Sequence, residues 1–100
     1  MNKIKYRTHE EVEIEYFTKH PKEIKPYLAV ALEEYEKDGD EKAFLSALAM
    51  AAKVQGFTRI SKTTGLNRES LYRALSKKGD PRLSTVMQVI TALGLSLTIK

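Results

Sequence analysis

The chain has 100 residues, of which 42% are hydrophobic and 30% are charged, as expected for one globular domain. It contains no cysteine, which excludes disulfides, thiolate metal sites and cysteine nucleophiles. No apolar run approaches the roughly 18–20 residues that cross a bilayer, and the N-terminus lacks the apolar segment of a signal peptide, so we expect a cytoplasmic protein without a membrane span.

Charge is distributed unevenly along the chain. The net charge of +4 combines −3 from residues 1–50, which hold 8 Lys+Arg and 11 Asp+Glu, with +7 from residues 51–100, which hold 9 and 2. Solvation of the surface accounts for the total charge but less well for its polarity. A phosphate backbone attracts such a basic half and repels the acidic half, so the second half is the candidate for binding nucleic acid.

The N-terminal region gives weak structural signals. Residues 1–15 are interpreted as an extension that is partly disordered, preceding a single helical domain over residues 16–100. Within the extension, Val12–Tyr16 alternates apolar and acidic side chains, a pattern that predicts a short strand.

Two longer helices are predicted next. An apolar stripe at three- and four-residue spacing follows Pro21, a good first-turn residue, and ends at Gly39, which can adopt the left-handed C-terminal position. Pro26 lies inside this stripe, so the helix should kink or begin there. Asp40 is the expected N-cap of a second helix, which Gly56 ends.

The basic half predicts three short helices. The first starts at an N-cap Thr58 and is broken by Gly65, and the second starts at an N-cap Asn67 and reaches about Ser76. After a loop at residues 78–81, a third helix is predicted to begin at its N-cap.

That N-cap is either Ser84 or Thr85, and Gly94 closes the helix. Leu95–Ile99 alternates apolar and polar residues and is interpreted as a terminal strand. The predicted fold is therefore mainly α, with about five helices and a short C-terminal strand.

Residues 57–76 have the features of a helix-turn-helix. Two short helices are joined by three or four residues that include Gly65, at the place where the chain must turn sharply. Apolar residues stand where such a pair buries its contact: Ile60, Leu66, Leu71 and Ala74. Any antiparallel helical pair places leucines inside and charges outside, so the prediction depends on the conjunction of caps, glycine and apolar spacing with a basic half.

The second helix of this unit would enter the major groove of duplex DNA. A 100° step per residue turns Glu69, Tyr72 and Arg73 outward, with Arg68 and Ser70 at the flanks. Arginine can bond bidentately to guanine, glutamate can accept from the cytosine amine, and serine can serve several bases.

Phosphate contacts complete the predicted interface. Asn67 and the free amides beside it favour a phosphate, and the surrounding lysines and Arg59 add sequence-independent affinity. The complete set of candidate DNA-binding residues is Thr58, Arg59, Lys62, Asn67, Arg68, Glu69, Ser70, Tyr72, Arg73, Lys77 and Lys78.

A catalytic or metal site is not indicated by the sequence. His9 and His20 are far apart and lack partners at ligand spacing. The acidic residues between Glu10 and Glu15 are interpreted as a solvated face. We therefore expect no enzyme activity, no metal and no cofactor.

The segment GLNRESLYRALSKKGDPRLSTVMQVITALGL, residues 65–95, resembles the Xre-type helix-turn-helix of addiction-module antidote proteins, the HigA-like antitoxins. FLSALAMAAKVQGFT, residues 44–58, is also similar, and the likeness extends over about residues 15–100. Ser61 and Asp80 are departures, since the family often has Ala and Asn at these places.

The resemblance implies an Xre or lambda-repressor-like bundle and two activities. One is neutralisation of a small RelE/HigB-like toxin that cleaves RNA, and the other is repression of the shared operon by binding its operator DNA, commonly as a dimer. By the same motif, the residues of the recognition helix are Arg68, Glu69, Ser70, Tyr72 and Arg73.

Alternatives remain open at this point. The chain could be a free-standing Xre-type repressor without a toxin, or a protein-interaction module that inhibits a toxin through its acidic half without binding DNA. We also expect a homodimer, because the edge of the strand Leu95–Ile99 would pair either with Val12–Tyr16 or with its counterpart in a second subunit.

Overall fold

A computed structural model describes residues 8–76 and 79–99 of the chain. Within these ranges it contains six α-helices and no strand, so the mainly α prediction is confirmed with one helix more than expected. The elements are α1 (His9–Lys19), a short 3-10 helix (Pro21–Glu23), α2 (Ile24–Asp38), α3 (Glu41–Gln55), α4 (Phe57–Thr64), α5 (Arg68–Ala74) and α6 (Leu83–Ala92).

Helix α3 lies at the centre of the fold and contacts α1, α2, α4 and α6. Its buried face alternates large and very small side chains, and Leu48, Ala51 and Ala52 have almost no exposed surface. Alanines at this position let neighbouring helices approach closely, and the larger side chains fill the remaining space. The core therefore depends on α3 more than on any other element.

Helix α1 replaces the strand predicted at Val12–Tyr16, and that prediction is wrong. Thr8 caps the helix, because its Oγ1 accepts a hydrogen bond of 3.0 Å from the amide of Glu11. The helix turns Ile14 and Phe17 toward the core, at the spacing of one helical face. A five-residue alternation could not outweigh a cap followed by this spacing.

Helices α2 and α3 begin and end near the predicted residues. Helix α2 starts at Ile24, and Pro26 falls in its first turn, where the missing amide has no helical partner. Gly39 ends it with a left-handed φ of 71°. Asp40 then caps α3 through hydrogen bonds from two first-turn amides, and Gly56 follows its last residue, both as predicted.

Two predicted N-caps are wrong. Helix α4 begins one residue before Thr58, with Gly56 as its N-cap, and α6 begins at Leu83, before both Ser84 and Thr85. In both cases a hydrophobic residue occupies the first position of the helix. A nearby hydroxyl residue is therefore only a weak guide to where these helices start.

The predicted C-terminal strand is not formed by the described residues 95–99. After α6 the amide of Leu95 donates a hydrogen bond of 3.1 Å to the carbonyl of Ile90, and Leu95 packs against the core. Beyond it Leu97 and Ile99 are exposed. A strand needs a partner edge, and the segment Val12–Tyr16 that was expected to supply one within the chain is helical.

Within residues 8–76 and 79–99, none of the helices combines the length and the apolar character required to span a bilayer.

Candidate nucleic-acid interface

Helices α4 and α5 are joined by a tight turn of three residues. Gly65 adopts a left-handed φ of 75°, and its amide donates a hydrogen bond of 2.9 Å to the carbonyl of Ser61. The Ser61 hydroxyl in turn donates to the carbonyl of Leu66. A side chain with a Cβ is strained at such a φ, so the glycine makes this change of direction possible.

An apolar contact fixes α5 against the rest of the molecule. Ile60 of α4 and Leu71 of α5 are fully buried, and Leu75 directly after α5 is almost so. Leu66 packs at the edge of the same core. A seven-residue helix is unstable alone in water, so α5 depends on this packing for its structure.

The opposite face of α5 is exposed to solvent, as its helical spacing predicts. The exposed residues are Arg68, Glu69, Ser70, Tyr72 and Arg73. Every one of them was a candidate for contact with base edges. A rigid helix thus presents two guanidinium groups, a carboxylate, a hydroxyl and a phenol on one accessible surface.

Tyr72 is held in place although it is 56% exposed. Its ring lies 5.7 Å from the ring of Phe57 at the start of α4 and 5.3 Å from the Nζ of Lys53 in α3. A shallow groove between these elements is lined by Lys53, Phe57, Arg68, Glu69, Tyr72, Arg73 and Ser76. The surface around α5 is therefore wider than the helix and includes the last turn of α3.

The candidates on α4 are exposed but lie outside this groove. Thr58, Arg59 and Lys62 all face solvent, and the Arg59 Nη1 donates a hydrogen bond of 3.3 Å to the Oε1 of Gln55. They therefore flank the groove as separate polar groups. Lys77 and Lys78, which were also predicted to contact phosphate, lie outside the described residues.

Asn67 has a structural role that its sequence position predicted. Its Oδ1 accepts hydrogen bonds from the amides of Glu69 at 2.8 Å and Ser70 at 3.3 Å. These two amides were expected to be free for a phosphate, but the cap already occupies them. Any contact of Asn67 with DNA would therefore use its side-chain amide nitrogen rather than a ring of open backbone donors.

Lys53 was missed by the sequence reasoning. It lies on α3, where its lysine is one charge among many, but the fold brings it to the groove beside Tyr72 and Arg73. Its Nζ forms an ion pair with Glu10 of α1. No local sequence signal could have revealed a contact between residues 43 positions apart.

Comparison with known proteins gives a consistent assignment. A family model described as "probable addiction module antidote protein" matches residues 8–100. A protein of Haemophilus influenzae, described only as uncharacterized, is 40% identical over 78 residues, which cover 78% of this chain and 76% of that protein. None of the solved structures matches the chain significantly.

The family match covers nearly the whole chain, including the helices that carry the core and the exposed face of α5. It agrees with the resemblance found in residues 65–95 and supports an antitoxin role, which implies a toxin as the counterpart. The chain belongs to the family of addiction-module antidote proteins.

Proposed function

We propose that the chain is a DNA-binding antitoxin that neutralises a RelE/HigB-like toxin and represses its own operon. The observation that carries the DNA-binding part is the exposed polar face of α5, whose opposite face is anchored through Leu71 and Leu75. A recognition helix requires this combination, because base readout needs side chains that project from a fixed backbone.

Helix α5 would act as the recognition helix of a helix-turn-helix of the Xre type. In the major groove, Arg68 and Arg73 are suited to bidentate bonds with guanine, and Glu69 can accept a hydrogen bond from the cytosine amine. Ser70 can donate or accept at several base edges. Tyr72, braced from one side, would present its remaining surface to a base or sugar.

The exposed groups of α4 would contact the DNA backbone. Arg59 and Lys62 supply positive charge and Thr58 a hydroxyl, all on the helix that precedes the turn. Such contacts fix the register of the protein on the duplex and make affinity fall with salt. Lys77 and Lys78 belong to the same proposal on sequence grounds.

A toxin partner fits the opposite charge of the other half. Helix α2 exposes Glu33 and Glu34 beside Val30, which is 53% exposed. A small ribonuclease that binds RNA carries a basic surface, and an acidic helix with an apolar side chain is complementary to it. This surface also supports the second candidate, a toxin inhibitor that has no activity on DNA.

A homodimer is part of the proposal. Two copies of α5 placed about 34 Å apart would match successive major grooves on one side of a palindromic operator. Light scattering after size exclusion at tens of micromolar protein should give twice the chain mass, and a strict monomer would contradict this part.

Two measurements separate the candidates. Fluorescence anisotropy should show that the protein binds the duplex upstream of its gene more tightly than a scrambled duplex of equal length. Co-expression with the product of the adjacent reading frame should give a stable complex and restore growth. Toxin binding without any affinity for either duplex would support the inhibitor alone, whereas DNA binding without a toxin partner would support a free-standing repressor.

A further inference from the structure

Lys53 lies at the border of the surface proposed to face DNA. Its Nζ is 5.3 Å from the centre of the Tyr72 ring, and it lines one groove with Arg68 and Arg73. Its side chain retains 22% of its accessible surface. A lysine in this position could reach a phosphate of a duplex docked on α5, because its ammonium group is a mobile point charge on a long stem.

The Lys53 ammonium is, however, paired with a carboxylate from another helix. Glu10 in the first turn of α1 provides the partner, and half of its own side-chain surface is exposed. Helix α1 keeps Glu10 in place because Ile14 and Phe17, on the same helical face, pack into the core. The carboxylate thus occupies the ammonium that a DNA phosphate would use.

We propose that Lys53 is a further DNA-contacting residue and that Glu10 competes with DNA phosphate for it. Helix α1 then acts as an intramolecular competitor that lowers the affinity of the protein for duplex DNA. The inference rests on the proposed DNA-binding function. Exposed ion pairs are weak and are screened by salt, so a polyanion at close range can displace this carboxylate only in part.

The competition predicts a specific response to neutral substitutions. Glu10→Gln frees the ammonium while keeping the size of the side chain, so affinity for duplex DNA should rise about two- to fivefold at low salt, the range that an exposed ion pair allows. The slope of log affinity against log salt should steepen by about 0.9, the value for one added phosphate contact. In a Lys53→Gln background, Glu10→Gln should change neither quantity.

The experiment is an anisotropy titration of the full chain with the upstream duplex and a scrambled duplex at several salt concentrations. The variants are Glu10→Gln, Lys53→Gln, their double variant and Glu11→Gln. The last removes the same charge from the neighbouring position of α1, so it measures the general effect of a less acidic helix. Circular dichroism melting establishes that each variant is folded.

The outcomes distinguish this inference from the proposed function. A rise in affinity for Glu10→Gln that disappears without Lys53, and that exceeds the rise for Glu11→Gln, supports competition. Equal affinities for wild type and Glu10→Gln, or a rise that persists in the Lys53→Gln background, overturn the inference while DNA binding stands. Failure of every variant to bind either duplex removes the proposed DNA-binding function itself.

Discussion

The rings of Phe57 and Tyr72 contact each other with their centres 5.7 Å apart and their planes inclined at 56°. Phe57 opens α4 and is buried, whereas Tyr72 lies on the exposed face of α5. Aromatic pairs at this distance add to the energy of burial. The contact therefore ties the solvent-facing side of α5 to the helix before it, and limits how far the candidate DNA-binding side chains can move.

Replacement of Arg73 by alanine should weaken binding to the upstream duplex by about 1–3 kcal/mol, because a bidentate contact with guanine would be lost. The readout is the ratio of affinities for the upstream and scrambled duplexes, measured by anisotropy. Arg82→Ala, which removes an arginine just before α6, is the matched control and should leave the ratio unchanged. An unchanged ratio for Arg73→Ala would exclude base readout by this side chain.

Lys62→Ala should reduce the affinity for both duplexes to the same extent. A lysine that contacts phosphate contributes no sequence information, so the magnitude of the salt slope should fall by about 0.9 while the affinity ratio stays constant. Lys37→Ala, in the last turn of α2, provides a control in the acidic half. The two variants would behave alike if Lys62 only solvates the surface.

Loss of the Asn67 cap should destabilise the protein independently of DNA. Asn67→Ala removes the acceptor of two amide hydrogen bonds at the start of α5, and such caps contribute about 0.5–2 kcal/mol. Urea unfolding followed by circular dichroism measures the change in the free energy of unfolding. Asn67→Ser retains a capping oxygen and should recover most of the loss, whereas equal midpoints for Asn67→Ala and wild type would contradict the role.

Gly79 is expected to be intolerant of any side chain. A Cβ at this position would collide with the carbonyl oxygens of Arg73 and Ala74 and lie 2.7 Å from the carbonyl carbon of Ala74. Gly79→Ala should therefore lower the free energy of unfolding by about 1–3 kcal/mol, as overpacking usually does. Asp80→Ala, at the adjacent exposed position, is the control for urea unfolding, and a Gly79→Ala protein as stable as wild type would show that this loop adjusts freely.

Features that depend on a few neighbouring residues could be predicted. Asp40 and Asn67 were identified as caps, and the structure shows both accepting hydrogen bonds from first-turn amides. Gly39 and Gly65 were expected to end helices and have left-handed φ values of 71° and 75°. These signals are local, because a cap and its amides are separated by two or three residues.

Other features required the packed molecule. Residues 12–16 alternate apolar and acidic side chains, yet they form part of α1, because Ile14 and Phe17 find a surface on the core that matches a helical face. Residues 95–99 lack a partner edge within the chain and stay outside any strand. In both cases the local pattern fits two structures, and long-range packing selects one.

The amino-acid sequence by itself determined the mainly helical fold, the caps around α3 and α5, and the set of polar residues that α5 exposes, since helical spacing alone separates them from Leu71. Only the tertiary structure decided that Lys53 joins this surface and that Glu10 pairs with it. The physical reason is distance along the chain: residues 43 positions apart meet only when α1 and α5 have both packed against α3 and its neighbours.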